Sequence, residues 1–210
     1  MIGIIAKKIG MTSVFQEGKL VPCTTVQLGK CVVTQVKTEA KDGYSAIQVG
    51  YGEKKEKNTT KPLKGHFKAA NTTPKRKLIE FRDYEKDYPK GPLKLGDQLE
   101  AAVIFEEGEF IDVVSKAKGK GFTGVMKRHG FSGVGDKTHG QHNRQRAPGS
   151  IGAGSTPSRV FKGLRMAGQK GGHRVKVQNV QILKIVADKD LVVLKGSVPG
   201  PNKSYIVLQR

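Results

Sequence analysis

Apolar and polar residues alternate with a period of two through much of the first fifty positions, the mark of half-buried strands. CVVTQVKT, residues 31–38, puts Val32, Thr34 and Val36 on one face, and SAIQVGY, residues 45–51, does the same with Ile47, Val49 and Tyr51. A more polar stretch follows from Gly52 to about Lys77, with KKEK at its start and one short helix expected over residues 63–70. Strand character resumes in LIEFR, GDQLEAAVIF and EFIDVVS, and closes the chain in RVKVQNVQILKIV, LVVLKGSV and SYIVLQR. In RVKVQNVQILKIV the parity of Val175 and Val177 switches at Val180 and Ile182, which predicts a β-bulge near Gln178 and Asn179.

Strands on both sides of a long irregular stretch imply a mainly β protein with little helix: a β-barrel or sandwich with a long internal extension. The expected division is residues 1–115 with 177–210 as the β domain and 116–176 as the insertion. Glycine is abundant in the insertion, and no apolar run there is long enough to build a core. A chain of this composition loses about 1–2 kcal/mol of backbone entropy per ordered residue with little burial to offset it. The segment from about Phe122 to Gly172 is therefore expected to take its shape from a partner.

Charge identifies the kind of partner. The 210 residues carry 38 Lys and Arg against 18 Asp and Glu, a net charge of +20. The insertion holds Lys116, Lys118, Lys120, Lys127, Arg128, Lys137, Arg144, Arg146, Arg159, Lys162, Arg165, Lys170, Arg174 and Lys176, opposed only by Asp136. Fourteen cations less one acid give +13, most of the excess in under a third of the chain. Arginines spread among glycines suit a strand threading between phosphates, and His129, His139 and His142 suit hydrogen bonding or stacking on nucleotides. The KKEK stretch, by contrast, reads as a solvated face. A globule of this length has a radius of gyration of about 17 Å. The 30 residues from Phe122 to Gly152 span up to about 100 Å if extended, so the tip can reach deep into an RNA.

Other chemistries are poorly supported. Gly119, Gly121 and Gly124 spell a formal G-x-G-x-x-G, but glycines interrupt the sequence that follows before a nucleotide-binding helix can form. His139 and His142 lack the cysteine or carboxylate companions of a metal site, and GSIG at residues 149–152 lacks the spacing of a nucleophile elbow. An enzyme on nucleic acid using His139, His142 and Asp136, and a DNA-compacting protein, stand as the rival readings. Cys23 and Cys31 are expected to be buried reduced thiols. No segment reads as a signal peptide or membrane span. A cytosolic protein without cofactor, metal, membrane or small-molecule substrate is expected.

MIGIIAKKIGMTSVF, SKAKGKGFTGVMKRHGF, THG followed by RAPGSIG, TPSRVFKGLRMAGQKG and LVVLKGSVPGP occur in this order and span nearly the whole chain. Together they resemble the bacterial form of the universal large-subunit ribosomal protein family L three. The resemblance implies a translation-protein-type β-barrel and an extension entering large-subunit rRNA toward the peptidyl-transferase centre. It also implies early assembly binding, no catalysis, and neighbouring large-subunit proteins as further partners, all in the cytoplasmic ribosome. The rRNA contacts would come from Lys116, Lys118, Lys120, Lys127, Arg128, His129, His139, His142, Arg144, Arg146, Arg159, Lys162, Arg165, Lys170 and Arg174. Pro148, Gly149, Ser150, Ile151, Gly152, Ala153, Gly154 and Ser155 would form the tip. Ser155 stands where some bacterial relatives carry an N-methylated glutamine before Thr-Pro, so that modification is not expected here.

Overall fold

The computed structural model describes residues 3–82, 84, 88, 91–99, 101–135, 140 and 143–210. The chain divides into two compact units, Met1–Lys116 with Arg174–Arg210, and Ala117–His173. Its strands are β1 (Gly3–Gln16), β2 (Lys19–Leu28), β3 (Cys31–Lys37), β4 (Ala46–Glu53), β5 (Lys75–Arg82) and β6 (Gln98–Leu99). They continue with β7 (Phe110–Lys116), β8 (Phe122–Thr123), β9 (Gly168–Gln169), β10 (Arg174–Val186), β11 (Leu191–Lys195) and β12 (Tyr205–Gln209). The helices are α1 (Glu39–Asp42), α2 (Lys61–Ala69), α3 (Ala101–Ile104) and α4 (Val125–His129).

In the first unit six strands close into a barrel in the order β1-β12-β7-β10-β11-β2, with every neighbour antiparallel. Closure pairs both sides of each strand and removes the exposed edges of an open sheet. A four-stranded sheet, β5-β4-β3-β6, belongs to the same unit. Ile4, Ile182, Ile206 and Leu208 of the barrel share one apolar core with Val33, Ile47, Val49 and Phe81 of the sheet. That continuity explains why β3 and β4 bury residues of both parities, beyond the single face that simple alternation implies.

The expected bulge is present. The β10–β7 register shifts between Val177 and Val180, Asn179 adopts φ 56°, and its N–H donates to Asp112 Oδ1 at 3.2 Å. Asp112 also pairs with Lys176 at 2.6 Å, and that hydrogen bond holds its carboxyl below the usual aspartate range. The short helix appears as α2, begun by Pro62 in its first turn and anchored by buried Phe67.

Two expectations change. GDQLEAAVIF is not one strand: only Gln98 and Leu99 pair, with Val32 and Cys31, before the chain turns into α3. Alanines at 101 and 102 favour helix, and the turn delivers Ile104 and Phe105 to the core at 2% and 1% exposure. The barrel strands also run further than the expected boundary at 116–176 allows. Lys116 pairs with Arg174, Ser115 with Val175 and Val114 with Lys176, because the ladder continues for as long as both chains stay extended.

Lys8 is buried at 6% exposure, and its Nζ donates to the carbonyls of Val198 at 2.7 Å and Gly200 at 3.2 Å. This ammonium ties β1 to the loop preceding β12. Cys23 and Cys31 are free and buried. The Cys31 thiol donates to the Ile5 carbonyl, and burial pushes its pKa up to about 12, so it stays protonated and inert at neutral pH.

Candidate nucleic-acid interface

The second unit was expected to be irregular throughout, yet its base is ordered. Residues 117–123 run antiparallel to 168–173. Ala117 N–H donates to His173 O at 2.9 Å and Gly172 N–H to Ala117 O at 3.2 Å; Lys120 N–H donates to Lys170 O and Lys170 N–H to Gly121 O, both at 2.9 Å. Phe122 and Thr123 then pair with Gln169 and Gly168 in the β8–β9 ladder. Gly171 permits the close approach: it has φ 69°, and a Cβ there would land on the Lys118 carbonyl.

From Gly124 the chain turns into α4, which buries Val125 and stops at Gly130 in the left-handed conformation. Five residues are too few for a dinucleotide-binding helix, so the Gly119, Gly121 and Gly124 pattern serves backbone turns. Arg128 Nη1 donates to the Met166 carbonyl at 2.7 Å, and His129 Nε2 lies 3.0 Å from the same oxygen. A carbonyl only accepts, so that nitrogen carries the proton. Lys170 Nζ donates to the Lys127 carbonyl. Three expected contact residues, Arg128, His129 and Lys170, therefore hold this unit together and are only partly exposed. These bonds depend on Met166 and Lys127 backbone atoms brought close by folding, which no local spacing announces.

The other described cations of the set are exposed: Lys118, Lys120, Lys127, Arg144, Arg146, Arg159, Lys162 and Arg165. The Arg159 guanidinium sits over the Phe161 ring at 5.4 Å. All twenty residues from 148 to 167 are exposed, and they include Ile151, Val160, Phe161, Leu164 and Met166. No described residue of this unit is acidic. His139, His142, Asp136 and Lys137 lie outside the described residues. Among the described residues, no group of three or more His, Cys, Asp or Glu is placed to hold a metal, and no helix is long and apolar enough to cross a membrane.

In the first unit Lys116 and Arg174 lie directly opposite each other across β7 and β10, both exposed. Like charges in cross-strand register destabilise a sheet, and a bound polyanion reverses the sign of that interaction. Lys116→Glu is expected to stabilise the free protein by about 0.5–1 kcal/mol while weakening binding to a polyanion. Thermal unfolding of the free chain, run beside a binding titration, checks both signs.

The match to known proteins agrees with this distribution of charge. The family model described as Ribosomal protein L3 matches residues 93–191. Over 209 residues the chain is 56% identical to the protein of Salinibacter ruber named Large ribosomal subunit protein uL3, covering 99% of this chain and 98% of that one. A closed β-barrel, a second unit rich in exposed cations, and identity of this depth over almost the full length make the chain a member of the ribosomal protein L3 family, whose proteins are structural and non-enzymatic.

Proposed function

We propose that this protein is a structural constituent of the large ribosomal subunit that binds its rRNA directly, acts early in assembly, and carries residues 148–155 toward the peptidyl-transferase centre. Its setting is the cytoplasmic ribosome, with neighbouring large-subunit proteins as further partners. The observation that carries the reading is the exposed run from 148 to 167. Twenty consecutive exposed residues with five large apolar side chains, in a unit whose described charges are all positive, make a poor solvent-facing surface. Against RNA each feature finds a use: arginines take phosphates, apolar side chains and glycine backbone approach bases and sugars, and none of residues 148–167 is itself acidic.

Each phosphate neutralised releases counterions, so log affinity falls linearly with log salt by about 0.7–0.9 per contact. Changing Arg144 and Arg146 to alanine together is expected to weaken binding to large-subunit rRNA and lower that slope by about 1.4–1.8. Filter binding across a salt series measures it. An unchanged slope removes these residues from the interface, and equal affinity for duplex DNA and folded rRNA returns the DNA-compacting alternative. A cleavage tether on Ser150→Cys in the assembled subunit tests the position of the tip, with cuts expected in rRNA of the catalytic core.

A further inference from the structure

The second unit contains a hollow that the charge argument does not use. Residues 130–134 and 144–150 border an open hollow of about 800 Å³, within the range of about 300–1,000 Å³ typical of small-molecule pockets. Its lining includes Phe131, Val134 and Pro148, the hydroxyl-bearing Ser132, and Arg144. The two segments meet because residue 133 is glycine: it has φ 73°, and a Cβ there would land on the Gln145 carbonyl. Phe131 is held from the α4 side, its ring 6.0 Å from that of His129, which is itself hydrogen-bonded to Met166 O.

We infer that this hollow is a receptor for one unstacked nucleobase of large-subunit rRNA, with Phe131, Val134 and Pro148 packing on the base and Arg144 engaging its flanking phosphate. The inference rests on the rRNA-binding reading above and assigns it a defined subsite. Charge selects the occupant. Arg144 is exposed and the described lining has no carboxylate, so a base attached to an anionic backbone fits where a cationic or neutral ligand leaves the guanidinium unanswered. Single-stranded RNA is read in this way, by splayed bases stacking on aromatic side chains beside cations that hold the backbone. Ser132 supplies a hydroxyl that both donates and accepts at a base or ribose edge.

Ultraviolet crosslinking of assembled large subunits containing the full chain, followed by peptide mass spectrometry, tests this without any substitution. A nucleotide adduct within residues 130–134 or 144–150 is expected. Adducts confined to other parts of the unit overturn the subsite and leave rRNA binding intact. In parallel, Phe131→Ala is expected to lower affinity for purified large-subunit rRNA about ten-fold without changing the salt slope, since no ionic contact is lost. Phe131→Tyr should restore affinity, and Gly133→Ala, which forces the two segments apart, should reproduce the loss. Unaltered affinity for Phe131→Ala beside a flattened slope for the Arg144 and Arg146 double change overturns the hollow alone. No effect from either overturns the rRNA reading and the subsite together.

Discussion

Lys8→Met is expected to destabilise the barrel unit by about 2–5 kcal/mol, because it strips the charged donor from two carbonyls and leaves both without that partner at a site closed to water. The donor bonds, at 2.7 Å to Val198 O and 3.2 Å to Gly200 O, join residues 190 and 192 positions apart. Backbone bonds from Lys8 to Ser204 and Lys203 remain in the variant, so the measured loss belongs to the side-chain donor. Methionine keeps a stem of similar length, so the comparison isolates the polar contribution; alanine adds the lost packing of the aliphatic chain and should be worse. Urea unfolding of the free protein is the measurement, with the midpoint falling and the denaturant slope unchanged. A change under about 0.5 kcal/mol would show that water reaches these carbonyls once the ammonium is gone.

Gly171→Ala is expected to open the base of the second unit. The left-handed conformation alone costs a residue with a Cβ about 1–2 kcal/mol, and here the added carbon also collides with the Lys118 carbonyl. Chain 168–173 must then withdraw from 117–123, breaking the bonds made by the Ala117, Lys120, Lys170 and Gly172 amides. Hydrogen exchange at those four amides should accelerate at least ten-fold, while exchange in β1, β7, β10 and β12 stays as it was. In the unaltered protein these amides should be slow and those from 148 to 167 fast, because the former are bonded across the paired base and the latter lie in a wholly exposed run. Fast exchange at all of them in the unaltered protein would sink the account of an ordered base.

That ordered base was hidden in the sequence for a physical reason. β8 and β9 are two residues each and 45 positions apart, so neither shows a period, and their stability comes from each other and from the glycines that let them touch. The bulge at Asn179 was legible because a one-residue insertion reverses the parity of every side chain after it, and valines on both sides recorded the switch. GDQLEAAVIF misled because a short buried helix and a short buried strand present the same apolar run; only the partners at Cys31 and Val32 decide where pairing stops. Of the interface, the sequence revealed the charge and its location. It did not separate the cations facing outward from Arg128 and Lys170, which face backbone carbonyls, nor did it indicate the hollow beside Phe131.

The order of strands around the barrel sets a timetable for biogenesis. β12 is the slat between β1 and β7, so the cylinder has an open seam until residues 205–209 exist. At synthesis rates of about 5–20 residues per second, roughly 10–40 s separate the emergence of β1 from that of its neighbour. In the closing part of that interval the basic stretch between β7 and β10 has been made while β12 has not, on a scaffold not yet locked. A nascent chain of this design therefore meets polyanions before its own anchor has set, and shielding those charges while the last slat is made becomes a task for the cell.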